Sequence, residues 1–158
     1  MPGEDGVAVE IRPLAPADPA VRRLIGELDR LQTSLYPAES NHLDPIEVLE
    51  GSDVTFLAAF VGGEAVGCGA VKRMPGGYGE IKRVFVDPAA RRRGVGRAMM
   101  EALETDLLTH GIDLARLETG VRQPEALALY EHSGYVRIPP FGDYREDPLS
   151  VFLEKRLV

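Results

Sequence analysis

The chain has 158 residues, 44% of them hydrophobic and 27% charged, which suits one domain with a real core and gives no reason to expect a second. A formal net charge of −7 argues against nucleic acid as a main partner, because a phosphate backbone demands a basic face. A single cysteine, Cys68, excludes an internal disulfide and a cysteine-cluster metal site, and without an apolar leader or long apolar run the expectation is a cytoplasmic protein that meets no membrane.

Taken in order, residues 7–12 alternate like a strand, and 21–35 carry Leu24, Ile25, Leu28 and Leu31 at helical spacing until Tyr36-Pro37 stops the helix. Residues 45–49 suit a second short helix. Two apolar runs, 54–61 and 64–73, flank Gly62-Gly63, a strong hairpin signal. Cys68 lies in the second run and is expected as a buried core thiol rather than a nucleophile. Pro75-Gly76-Gly77 turns the chain into a strand over 78–86. A helix starts at Val95, repeats Ala98, Met99, Ala102, Leu103 and Leu107 on one face, and ends near Gly111. Residues 114–119 read as a strand and 124–132 as a short helix with Pro124 in its first turn, followed by Gly134-Tyr135. Pro139-Pro140-Phe141-Gly142 then precedes a last strand over 150–155.

The connection from the 78–86 strand to the helix at Val95 carries the most information. Gly94 and Gly96 have no Cβ, so backbone can approach a ligand closely, and the first helical N–H groups have no partner inside the helix. With Arg91, Arg92, Arg93 and Arg97 beside them, these groups suit a diphosphate. Six of the 18 Lys and Arg lie between Lys82 and Arg97, a concentration that fits a local anion site in an otherwise acidic chain. A nucleotide P-loop would need G-x-x-x-x-G followed by Lys and Ser or Thr, which is not in the sequence. A dinucleotide fingerprint would need a third glycine where Met99 stands. What remains is [Q/R]-x-x-G-x-[G/A], met by Arg91, Gly94 and Gly96.

That pattern resembles the coenzyme A loop of the GNAT N-acetyltransferase superfamily. About thirty residues later, A-L-A-L-Y-E-H-S-G-Y over 126–135 resembles that superfamily's second signature, A-x-x-L-Y-x-x-x-G-[F/Y]. The phrases L-Y-P-A-E-S-N-H, L-E-T-G-V-R-Q-P-E-A and P-F-G-D-Y are similar to those of a widespread group of small bacterial members. The resemblance implies an α/β (α+β) fold in the order β-α-α-β-β-β-α-β-α-β-β, with a mixed central sheet of about seven strands and about four helices. It also implies an acetyl-CoA-dependent N-acetyltransferase that transfers directly to a primary amine of a small molecule or protein, as a monomer or homodimer. The alternative is a non-catalytic acyl-CoA sensor.

By the same resemblance, the main chain of Val84, Phe85 and Val86 contacts pantetheine where two strands splay. Arg91 and the loop of Arg92, Arg93, Gly94, Val95, Gly96 and Arg97 hold the diphosphate. Gln123 stands near where many members carry Asn, keeping an amide on a longer stem. Acyl transfer to an amine needs a neutral lone pair, stabilisation of the carbonyl oxygen and a proton for the departing sulfur. Tyr130 sits where the second signature places that acid. Glu80 aligns with a strand position from which some members present a base, although it could equally pair with Lys82 or Arg83. Glu118 is the competing carboxylate and His42 a third possibility. Tyr36, Asn41, His42, Tyr144 and Arg145 are acceptor-pocket candidates, with Tyr36 also readable as a helix stop and Tyr144 as a core aromatic.

Overall fold

The structure, a computed structural model, describes residues 8–41 and 45–158. Strands β1 (Val9–Pro13), β2 (Val54–Val61), β3 (Glu64–Arg73), β4 (Gly79–Val86), β5 (Leu114–Gly120), β6 (Val136–Ile138) and β7 (Ser150–Arg156) form one sheet in the order β1-β2-β3-β4-β5-β7-β6. Only β4 and β5 run parallel; the other neighbours are antiparallel. The helices are α1 (Pro19–Leu35), α2 (Ile46–Leu49), α3 (Val95–Thr109) and α4 (Pro124–His132), with 3-10 turns at Ala38–Ser40 and Pro88–Ala90. Among the described residues no helix is long and apolar enough to cross a membrane.

The expected order and the mixed sheet hold, with element ends moved by a residue or two. Helix α1 starts before Val21 because Asp18 caps it, its side chain accepting the Ala20 N–H at 2.9 Å, and Pro19 fills the first turn. Pro45 precedes α2 rather than opening it, β4 starts at Gly79 instead of Tyr78, and β5 and β7 each run one residue further. Val7, expected to begin the first strand, lies outside the described residues.

Alternating side chains divide the core between the two faces of the sheet. Under α1 and α2 lie Leu24, Leu28, Leu49, Phe56, Phe60, Phe85 and Cys68, whose thiol is fully buried. Under α3 and α4 lie Met99, Leu103, Leu107, Leu117, Leu153 and Tyr130. The Cys68 Sγ contacts the Arg83 carbonyl at 3.5 Å, and burial pushes its pKa up to about 12. It is a core thiol, as the sequence suggests.

Two irregularities in β4 shape everything that follows. Pairing with β3 shifts from Cys68↔Phe85 to Ala70↔Lys82, so Arg83 and Val84 together face Gly69 in a bulge. Arg83 takes a left-handed φ of 59°, which costs a non-glycine residue about 1 kcal/mol. Its buried guanidinium pairs with Asp29 on α1, which holds it there. The extra residue reverses the in–out phase of the strand: Ile81 packs under α3 before the bulge, Val84 and Val86 do so after it, and Phe85 turns to the α1 side. The second irregularity is the short β4–β5 ladder, which pairs only Gly79↔Ala115, Glu80↔Arg116 and Ile81↔Leu117. Beyond Ile81 the strands part, leaving residues 82–86 paired to β3 alone.

Candidate active site

The loop leaving β4 is fastened before it reaches α3. Asp87 accepts the Ala89 N–H at 3.0 Å and a bond from the Arg23 guanidinium at 3.1 Å, while Arg23 also reaches the Ala65 carbonyl at 3.3 Å. These bonds, the Ala89 one first, hold the Asp87 carboxyl below its usual range despite partial burial. The chain then turns through two left-handed residues, Arg92 at φ 67° and Gly94 at φ 77°, the latter immediately before the helix. Open space surrounds the position a Gly94 Cβ would take, so backbone conformation alone selects glycine there. Gly96 has a different reason: an added Cβ would stand 3.0 Å from Leu129 Cδ2. Its missing Cβ thus also lets α4 pack on α3, a reason separate from the expected approach of a ligand. Arg91, Arg92 and Arg97 are exposed and Arg93 half-buried, and Arg97 also pairs with Glu101 at 3.3 Å.

Where β4 and β5 separate, a narrow cleft of about 80 Å³ opens through the sheet, reached by α1 from one face and α4 from the other. Glu80, Lys82, Val84, Glu118, Gln123, Tyr36, Tyr130 and Tyr144 all line it. Glu80 is 4% exposed and its Oε2 receives two donors, the Tyr144 hydroxyl at 2.6 Å and the Lys82 ammonium at 3.1 Å. The structure therefore realises the pairing of Glu80 with Lys82, and it adds Tyr144. Tyr144 and Glu80 also border an outer groove with Tyr78, Asp143, Arg145 and Asp147, so this pair forms a wall between inner cleft and surface.

Tyr130 is buried at the last turn of α4, its ring edge-on to Tyr135 with centroids 6.3 Å apart. Among the described residues its hydroxyl has no hydrogen-bond partner. Burial, assisted by the charge of Glu118, raises its pKa and keeps it protonated. Tyr36 differs. Its hydroxyl accepts the Arg122 N–H at 3.0 Å and donates to Gln123 Oε1 at 3.2 Å, and that same oxygen takes Gln32 Nε2 at 3.1 Å. The Gln123 carbonyl oxygen is thereby committed within the protein, leaving its NH₂ for any further contact. Gly120 makes this possible, because a Cβ there would fall 1.8 Å from the Tyr36 hydroxyl oxygen.

Other candidates lie further out. Arg145 borders only the outer groove of these two cavities. Asn41 follows the 3-10 turn, and its buried Oδ1 has no partner among the described residues. His42 lies outside the described residues. The short helix α2 gives Leu49 to the core on the α1 face of the sheet and no lining residue to the cleft, which Ser40 of the 3-10 turn does line. Sequence reasoning missed Tyr144 as a donor to Glu80, and it missed Gln32 and Gly120. An amide at helical spacing from Leu28 on an otherwise apolar face is the only local hint of Gln32.

The model of the Acetyltransferase (GNAT) family matches residues 25–135. An IAA acetyltransferase of Azospirillum brasilense is 47% identical over 144 residues, spanning 90% of this chain and 94% of that protein. A solved chain from Klebsiella pneumoniae subsp. pneumoniae, assigned as an acyl-CoA N-acyltransferase, superimposes with a TM-score of 0.81 at 39% identity over 95% of this chain and 98% of its own. A PaiA N-acetyltransferase of Thermoplasma acidophilum, solved in complex with coenzyme A, shares the fold at a TM-score of 0.70 and 19% identity, covering 94% of this chain and 99% of that one.

Proposed function

Because this chain belongs to the GNAT acetyltransferase family and is thereby an N-acetyltransferase, we propose that it moves an acetyl group directly from acetyl-CoA to a primary amine. The observation that carries the proposal is the early end of the parallel ladder after Ile81↔Leu117, which leaves one cleft lined by both Glu80 and Tyr130.

The residues present fit coenzyme A. The unpaired side of β4 at Val84, Phe85 and Val86 offers main-chain groups to an extended pantetheine arm. The left-handed backbone at Arg92 and Gly94 turns the loop into the start of a 15-residue helix, whose free N–H groups and neighbouring arginines suit a diphosphate. Once bound, the coenzyme supplies an activated thioester. Within the cleft, Glu80 takes the proton from the acceptor ammonium, with Lys82 and Tyr144 orienting the carboxylate through Oε2. Tyr130 donates its hydroxyl proton to the sulfur, a role suited to a phenol kept protonated by burial. Glu118 stays close enough to influence both Tyr36 and Tyr130, and Tyr36 with Gln123 borders the acceptor end.

The test begins with calorimetry of coenzyme A against free diphosphate. Arg91→Ala combined with Arg97→Ala, both exposed, should weaken coenzyme A at least ~10-fold, about the value of one charge-assisted phosphate contact. Acceptors are then screened by thiol release with spermidine, lysine peptides, amino acids and IAA, the compound named for the Azospirillum brasilense relative. Tyr130→Phe should lower kcat by about 10²-fold with little change in the KM of acetyl-CoA. Diphosphate binding as tightly as coenzyme A, or full turnover by Tyr130→Phe, would overturn the corresponding part of the reading.

A further inference from the structure

Helix α3 carries a carboxylate among apolar neighbours. Glu104 is 9% exposed and shares its helix face with Met100, Leu103 and Leu107. Both its oxygens are engaged. Oε2 accepts the Tyr135 hydroxyl at 3.0 Å, and Oε1 accepts the Lys155 ammonium from β7 at 2.9 Å. Tyr135, itself 3% exposed, is tied again at its backbone, where its N–H donates to the Tyr130 carbonyl at 3.1 Å. Its ring lies edge-on to Tyr130 at an interplanar angle of 65°. The Lys155 ammonium sits 5.9 Å from the Tyr135 ring centroid.

A buried ion pair of this kind is a poor source of stability, because desolvation offsets most of the attraction and apolar residues of the same shape often do as well. What it supplies is position: two donors on separate oxygens fix the carboxylate, and the carboxylate holds the hydroxyl end of the Tyr135 ring in place. We propose that Glu104 and Lys155 hold Tyr135 as a positioning residue for Tyr130, setting where the Tyr130 hydroxyl stands in the cleft. The catalytic meaning of this rests on Tyr130 being the proton donor; the positioning itself does not. It also links the donor to α3, the helix whose first turn is read as the diphosphate site.

The test reads Tyr130 directly. The chain has five tyrosines, so protein labelled with [ζ-¹³C]tyrosine gives few resonances, assignable by single Tyr→Phe variants. In Tyr135→Phe the ring stays and only the hydroxyl is lost. The Tyr130 resonance should shift or broaden relative to wild type, and its response to saturating coenzyme A should fall by about half or more, while coenzyme A Kd changes by less than about two-fold. Glu104→Gln, a second route to the same loosening if Tyr135→Phe folds poorly, should move the Tyr130 resonance in the same sense. A Tyr130 resonance and coenzyme A response identical to wild type in both variants would overturn the inference. Full turnover by Tyr130→Phe would instead remove the proton-donor reading and leave the positioning result standing.

Discussion

At the scale of single residues, the cleft is governed by who donates to whom. Glu80 offers Oε2 to Lys82 and Tyr144, which leaves Oε1 for the amine in the proposed reaction. Glu80→Gln preserves the shape but removes the proposed proton acceptor, and kcat with any working amine should fall by about 10²-fold while coenzyme A affinity is retained. Turnover within a few-fold of wild type would move the role of base to Glu118. The place of Tyr130 at the cleft was legible in the sequence because the signature around it is local, a run of ten residues around one helix end. Gly120 was not, because its reason lies in the Tyr36 hydroxyl, 84 residues away along the chain, and a contact of that range leaves no periodicity to read.

At the scale of elements, hairpin β2–β3 and helix α4 were predicted to the residue, since Gly62-Gly63 and Pro124 fix their ends by backbone chemistry. The β4 bulge escaped notice for the opposite cause. Nothing in E-I-K-R-V-F-V marks Arg83 as left-handed; the Asp29 pair that holds it comes from another element. The loop between β4 and α3 depends in turn on Asp87, whose folded pKa is lowered by the Ala89 N–H and by Arg23. A depressed carboxyl pKa contributes stability that is present above the unfolded value of about 3.9 and lost as pH falls through the folded one. Asp87→Asn should therefore melt below wild type at pH 6, and the gap should close as pH drops below about 4. Thermal melts by circular dichroism across that range provide the check, and a gap constant with pH would show that the carboxylate charge contributes nothing.

At the scale of the whole molecule, the sheet is two antiparallel halves, β1–β4 and β5–β7, joined by three residue pairs. The order of elements was legible because each carries its own period and breaker residues, whereas the parting of β4 and β5 was implied only by resemblance, and the three-pair length of their joint by nothing local in either strand. The solitary thiol in the first half has a practical consequence. Alkylation requires a thiolate, and Cys68 with a pKa near about 12 and no exposed surface yields one only when the β3–β4 seam opens. Thiol-release assays thus run against a silent background, and iodoacetamide at pH 8 becomes a clock for opening events. Labelling of the native protein should be far slower than in urea, and coenzyme A at 100 times its Kd should slow it by a further ~100-fold if opening and binding exclude one another. Native labelling as fast as in urea would mean that the seam breathes freely, whereas slowing by coenzyme A would give an affinity with no acceptor and no turnover required.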